Sequence, residues 1–182
     1  MNSRNRHSAR RVALLGVLFA LAAVLSLVET GLSPVLGLPP GVKPGLSNTV
    51  VMVALLFLGF PQAVCLAVLK AGLSLLVRGA MAGALSLCGG LFSVAVMWLV
   101  HRFFKPTCFI FSASGALAHN MGQLLLFCAL WGAQGLQIMA AYLPVLILSG
   151  LCMGGLTALL LRALVPALKK MGFSDIIDNF YQ

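Results

Sequence analysis

Long apolar runs recur along almost the whole chain, and several approach the roughly 20 residues that cross a bilayer as a helix. No other feature of the sequence constrains the fold as strongly. Only 8% of the residues are charged, whereas soluble domains carry roughly a quarter. The runs therefore predict an all-α membrane protein, in which residues 1–182 form a single transmembrane domain.

Six apolar spans predict a six-transmembrane-helix bundle. The second and third spans are short, and Gly59 and Pro61 between them break the helix, so a tight helical hairpin is expected there. Loops are expected at 29–45, which is rich in proline and glycine, and at 131–140. The predicted spans are residues 12–28, 46–59, 62–77, 82–100, 109–130 and 141–164.

Basic residues predict the orientation of the bundle. The net charge is +9, and most positive residues stand at the ends of apolar runs, in RNRHSARR, HRFFK and RALVPALKK. The positive-inside rule then places both the N- and the C-terminus in the cytoplasm. Because a basic face on a soluble surface is lacking, the expected partner is the lipid bilayer and not a nucleic acid. The first span is expected to stay uncleaved, since it is longer than a signal-peptide core and no A-x-A site follows it.

GALAHNMGQLLL puts three polar side chains into an otherwise apolar span. His119 and Gln123 are four residues apart and share one helix face, which Asn120 flanks. Lys70 in the third span is expected at a similar depth, and Arg78 lies further out. Since a charge at the bilayer centre costs several kcal/mol, such residues usually face a cavity or a partner. A ligand cavity is therefore predicted; the alternative is that the three polar groups only hold neighbouring helices together.

The loop sequence GVKPGLSN adds polar groups on the outer side. Its lysine, together with the two cations of the third span, predicts a pocket of positive potential that suits an anionic or phosphorylated ligand. Glu29 is expected to pair with one of these cations or to contact a ligand cation. A neutral, vitamin-like ligand bound through amide groups is an alternative. The predicted substrate-binding residues are Lys43, Asn48, Lys70, Arg78, His119, Asn120 and Gln123.

The five cysteines form no CxxC pair and have no spacing to histidine that is typical of a metal site. They are interpreted as small core residues, and neither a metal nor another cofactor is expected. A Walker A sequence is also lacking, so any coupling to ATP must come from partner proteins.

GVKPGLSN, LGFPQAVCLAVLKAGLSLLVRG, SLCGGLFS and GALAHNMGQLLL resemble, in this order, the bacterial Gx transporter family, also named heptaprenyl diphosphate synthase component I-like. The resemblance covers roughly residues 10–165. That family is similar to the S components of energy-coupling factor (ECF) transporters, six-helix proteins that capture a micronutrient from outside. The resemblance implies an S-component-like fold, a substrate-binding role and a location in the bacterial cytoplasmic membrane.

The same resemblance implies partners. An S component works with a transmembrane T component and two cytoplasmic ATPase subunits, and small residues of its first helix contact the T component. In this chain the small residues that are expected to form that interface are Ala9, Ala13, Gly16 and Ala20.

The second family name implies a different role. Prenyl diphosphate synthases resemble one another in aspartate-rich motifs that hold Mg²⁺ through oxygen ligands. This chain has only Glu29, Asp175 and Asp178 as acidic residues, so a catalytic activity is not expected. A non-catalytic membrane subunit associated with heptaprenyl diphosphate or quinone biosynthesis is the alternative function, and a scaffold bundle without a ligand is a third.

Overall fold

The computed structural model describes residues 3–35, 45–104 and 106–170. The regular elements of this part are all helices: α1 Ser3–Val35, α2 Leu46–Phe57, α3 Phe60–Arg78, α4 Ala80–Phe104 and α5 Cys108–Lys170. The predicted all-helical membrane fold is confirmed, since the described residues contain five segments that are long and apolar enough to cross a membrane, and α2 is a shorter apolar helix. The five segments are Arg11–Leu32, Phe60–Arg78, Ala80–Phe104, Cys108–Gln137 and Leu143–Leu160.

Helix α5 is a hairpin of two limbs, because its backbone leaves helical geometry at Gly132 (φ 54°, ψ −128°). Gly150 packs against Leu117 and Gly154 against Ala113, so residue numbers rise along one limb as they fall along the other. We call the part before Gly132 the first limb and the part after it the second limb. The predicted loop at 131–140 was wrong, since helical geometry resumes directly after the turn at Gly132. The stretch contains no proline that would end the helix.

Helix α1 also extends beyond its predicted span and continues to Val35. The expected loop at 29–45 was therefore wrong for residues 29–35. Glu29 lies on the helix and is only 1% exposed. A buried carboxylate is tolerated when it is hydrogen-bonded, and Ser47 at the start of α2 supplies two donors to it.

Helix α2 is the central helix of the bundle. It has 12 residues and is therefore about 18 Å long, shorter than the hydrocarbon core. Every residue from 49 to 55 is buried, and α2 contacts α1, α3, α4 and α5. It runs parallel to the second limb of α5, because Gly45 lies beside Met153 and Thr49 beside Thr157.

Helices α3 and α4 form an antiparallel pair that turns at Gly79. This glycine has a φ of 91°, which favours a residue without a Cβ. Gly83 packs against Leu75, and the rings of Phe60 and Trp98 meet at the far end with centroids 5.5 Å apart. The turns at Gly79 and Gly132 consequently lie at one end of the bundle. Helix α2 begins deeper, because Gly45 lies beside Met153, 21 residues beyond Gly132 and so about 30 Å along the second limb.

The outer surface of the bundle is strongly apolar. Leu76 is 81% exposed, Phe104 77% and Val12 70%, which would be unfavourable in water but suits contact with lipid chains. Between the helices, glycines such as Gly122 bring two backbones close together, here α5 and α4. Small residues at helix contacts and large ones towards lipid are typical of membrane bundles.

Candidate functional site

A polar cavity lies between the start of α2 and the end of the bundle that carries the turns at Gly79 and Gly132. It encloses about 170 Å³ of water-accessible space, and all five helices contribute to its wall. Six of the predicted ligand-binding residues line it together with Glu29, whereas Lys43 lies outside the described residues. The six residues are Asn48, Lys70, Arg78, His119, Asn120 and Gln123.

Glu29 is the acidic group of the cavity, and it is bound to the start of α2. The backbone N–H of Ser47 donates to Glu29 Oε1 at 2.9 Å, and the Ser47 hydroxyl donates to Oε2 at 3.0 Å. A carboxylate at a helix N-terminus is stabilised by the unpaired N–H groups and by the helix dipole. This contact joins α1 to α2 and was not foreseen from the sequence. The carboxylate also interacts electrostatically with Lys70 and Arg78, as the expected pairing with a cation of α3 requires.

Two cationic side chains come from α3. The Lys70 ammonium group donates a hydrogen bond to Asn48 Oδ1, and Arg78 Nη2 donates to Ser74 Oγ at 2.6 Å. Lys70 is buried, with 8% of its surface exposed. Since an ammonium group has three N–H donors, the bond to Asn48 leaves further donors for an acceptor in the cavity.

The first limb of α5 supplies a histidine and a glutamine that are in mutual contact. Gln123 Nε2 and His119 Nε2 are 3.3 Å apart, as expected for residues four apart on one helix face. With the glutamine amide as donor, the ring proton of the neutral histidine lies on Nδ1. Nδ1 is buried and makes no hydrogen bond to a described residue, although the ring lies against the backbone of Gly89. The backbone of Gly89 is near enough to interact with the ring, and a ligand or water in the cavity would supply a better-aligned hydrogen bond.

Asn120 has a partner within the protein. Its Nδ2 donates to the backbone carbonyl of Leu146 at 3.0 Å and so bridges the two limbs of α5. The alternative to ligand binding was that these polar groups only hold neighbouring helices together. Asn120 makes a hydrogen bond of that kind. Its amide nevertheless borders the cavity, so the prediction that it binds a ligand stays a prediction.

Several lining residues were not singled out from the sequence. Ser26, Ser86 and Ser149 each interrupt an apolar helix with a hydroxyl group and border the cavity. Their signal was weak, because serine is common in membrane helices, where its hydroxyl can bond to the backbone of its own helix. Ser149 does this, since its Oγ donates to Leu146 O at 3.1 Å.

Gly89 on α4 positions the histidine and the glutamine. A Cβ at this residue would lie 2.8 Å from His119 O and 2.8 Å from Gln123 Cγ. Replacing Gly89 with alanine should therefore separate α4 from α5, at a cost of about 1–3 kcal/mol, and should displace both side chains. We expect a lower midpoint of thermal unfolding in detergent, measured by loss of helical circular dichroism.

The control for this substitution is the neighbouring glycine. A Cβ at Gly90 would have Ala67 Cβ as its nearest neighbour, at 3.4 Å. Gly90→Ala should lower the midpoint much less than Gly89→Ala. Equal midpoints for the two variants would show that the contact of Gly89 with α5 is not tight in the membrane protein.

The predicted partner surface on α1 faces away from the bundle. Ala13, Gly16 and Ala20 are all exposed, and nothing lies within 4 Å of a Cβ built on Gly16. Ala9 belongs to the same helix. With 100° per residue these four positions share one side of α1, opposite Ala22 and the other residues that it buries.

A metal site is not suggested by the described residues, which contain no group of three or more histidine, cysteine or acidic side chains. Cys108 is buried, and its Sγ lies 3.8 Å from the carbonyl oxygen of Ala158, between the two limbs of α5. Cys65 and Cys152 are exposed on the outer surface, so the interpretation of the cysteines as core residues was wrong for these two. The expectation that no metal or cofactor binds stays a prediction.

Apolar helices around a polar, charged cavity define a multi-pass membrane protein with a candidate small-molecule site. The family described as Heptaprenyl diphosphate synthase component I matches residues 18–164. Because this match covers most of the chain, the protein belongs to that family. No curated protein and no solved structure matches the chain.

Proposed function

We propose that the chain is the membrane-embedded substrate-binding component of an ECF-type uptake transporter and that its cavity captures a small anionic ligand from outside. One observation carries the proposal: the polar and charged residues of four helices and of the start of α2 converge on one cavity, which extends from the start of α2 towards the end with the turns at Gly79 and Gly132. The positive-inside rule predicts that this end faces outward. Because every helix contributes to the wall of the cavity, a bound ligand would contact the whole bundle.

The charges of the cavity support an anionic ligand. Glu29 contributes one negative charge, and Lys70 and Arg78 contribute two positive charges, so the described lining carries an excess of one positive charge. A buried charge without a counter-charge is unfavourable in a medium of low dielectric constant. An anion in the cavity would supply that counter-charge and would accept hydrogen bonds from Lys70, Arg78 and the Nδ1–H group of His119.

Energy coupling would come from partners. The sequence has no Walker A motif, so we assign ATP hydrolysis to two ATPase subunits and their connection with the bundle to a T component. The exposed small side chains of α1 allow a partner helix to approach closely. Binding from outside would then be followed by a reorientation of the whole bundle, driven by the ATPases.

Copurification tests this function. Tagged protein from native membranes in mild detergent should bring down a second membrane protein and ATPase subunits, identified by mass spectrometry. Replacing Gly16 and Ala20 on α1 with leucine should reduce their recovery at least several-fold, because bulk would hold the partner helix away. The control is Val28→Phe, which adds bulk to an exposed position on the flank of the same helix. If the wild-type protein recovers no such partner, the proposal fails.

The family description favours a second candidate, a non-catalytic membrane subunit associated with heptaprenyl diphosphate or quinone biosynthesis. The low number of acidic residues argues against catalysis in this chain itself, since Asp175 and Asp178 stand together in the C-terminal tail and cannot form two aspartate-rich motifs. In the same copurification, recovery of a soluble prenyl diphosphate synthase without ATPases would favour this candidate.

A further inference from the structure

A second, smaller chamber adjoins the polar cavity on its inner side. It has a volume of about 20 Å³ and shares four lining residues with the polar cavity: Gly45, Asn48, Ala116 and Met153. Its further lining residues lie about one helical turn, or 6 Å, deeper on α2 and on both limbs of α5. These deeper residues of α2 and α5 are Met52, Ser112 and Thr157.

The wall of this chamber is uncharged and largely apolar. Three methionines line it, Met52, Met97 and Met153, and none of its ten lining residues is ionisable. Flexible thioether side chains adapt to apolar groups of different shape. The chamber therefore contrasts with the polar cavity, whose lining contains three charged side chains.

The hydroxyl groups at the chamber are already engaged inside the protein. Ser93 Oγ donates to the carbonyl of Gly115 at 2.8 Å, and Ser112 Oγ donates to the carbonyl of Cys108 at 2.8 Å. Thr157 Oγ1 lies 3.5 Å from Thr49 Oγ1. A buried water normally needs two to four polar partners, and besides these engaged hydroxyl groups the Asn48 amide is the polar side chain of the described lining. A methyl or methylene group suits the space better than a water molecule does.

We infer that the ligand is an amphipathic anion, whose charged group binds beside Lys70 and Arg78 while a short hydrocarbon end enters the methionine-lined chamber. This inference rests on the proposed function, since it assumes that the polar cavity binds an anion. The chamber has room for roughly one or two methyl-sized groups. Ligands with such an end should bind more tightly than the bare anion, and longer chains should gain nothing further.

Two homologous series of probes test the inference on the full chain in detergent. One series runs from inorganic phosphate through methyl to butyl phosphate, and the other from formate to pentanoate. Within the series whose charged group binds, isothermal titration calorimetry should show an affinity gain of about fourfold per carbon for the first one or two carbons. The gain should then stop or reverse.

Variants of the chamber separate binding there from uptake of the chain into the micelle. Thr157→Ile should fill the chamber and abolish the gain per carbon, whereas Met52→Ala should enlarge it and move the optimum to longer chains. Met121→Ala is the matched control, because Met121 is exposed and borders neither cavity. Size-exclusion chromatography identifies folded variants, and the two chamber variants change the optimum in opposite directions, so either one alone suffices.

The outcomes distinguish this inference from the proposed function. Binding of phosphate or formate with no dependence on chain length overturns the chamber and leaves the anion cavity intact. The same dependence in the wild type and in both chamber variants also overturns it, because the hydrocarbon end then lies elsewhere. If no member of either series binds, the anion cavity itself is refuted and the inference falls with it.

Discussion

Replacing Lys70 with methionine should weaken ligand binding on the order of 100-fold. Methionine has a similar length but no charge, and removal of one partner from a buried charge pair usually costs 2–5 kcal/mol or more, which corresponds to roughly 30-fold to several thousand-fold in affinity. Native mass spectrometry of mildly purified protein would report the effect as loss of the small molecule that the wild-type protein retains.

Two further variants show whether the charge itself is responsible. Lys70→Arg keeps the charge but changes the geometry of its donors, so partial retention of the ligand is expected. Arg162→Met removes a cation from an exposed position outside the cavity and should leave retention unchanged. If Lys70→Met retains the ligand as the wild type does while the protein melts at a lower temperature, Lys70 has a structural role only.

Replacing Gly154 with alanine should have the largest effect on stability among the glycine substitutions considered. A Cβ at this position would lie 2.6 Å from the Cα atom of Ala113 and 2.9 Å from its backbone nitrogen. Backbone atoms cannot rotate away as a flexible side chain can, so the two limbs of α5 must separate. We expect a loss of about 3 kcal/mol or more, at the upper end of the range for overpacked cores, and a clearly lower midpoint of thermal unfolding.

Gly155→Ala is the matched control for this substitution. A Cβ at Gly155 would have Phe109 Cε2 as its nearest neighbour at 3.7 Å, an ordinary van der Waals contact. This variant should unfold close to the wild-type temperature. Similar midpoints for the two variants would contradict the close packing of the limbs. Because Asn120 bridges the limbs and borders the cavity, Gly154→Ala should also reduce ligand retention.

The class of fold could be predicted from the sequence, because it depends on the free energy of transferring each residue from water into lipid. That free energy is local and additive. Each apolar side chain favours lipid over water whatever its neighbours are, so runs of suitable length predict helices that cross a membrane. The candidate ligand residues were accessible for the same reason. Lys70 and His119 are costly in lipid wherever the chain goes, and the structure brings both to one cavity.

The hydrogen-bond partners of the polar residues inside the protein could not be predicted from the sequence. The sequence did not identify Ser47 on α2, which donates two hydrogen bonds to the Glu29 carboxylate. Asn120 was assigned to the ligand, but its amide also holds Leu146 O on the second limb. Each contact joins helices that are distant in sequence, and many polar groups in the bundle are chemically suitable partners. Only the relative placement of the helices selects one of them.

The turn at Gly132 and the central position of α2 could not be predicted from the sequence either. The sequence around Gly132 contains no proline, and its residues are compatible with a helix or with a loop. The short α2 could cross the membrane obliquely or lie inside the bundle, and composition does not distinguish these arrangements. The sequence alone determined that this is a helical membrane protein with charges that need a cavity or a partner, because the transfer of each residue into lipid has its own free energy. Tertiary structure alone decided which helices touch and that two adjoining chambers lie between them, because close packing depends on all the helices at once.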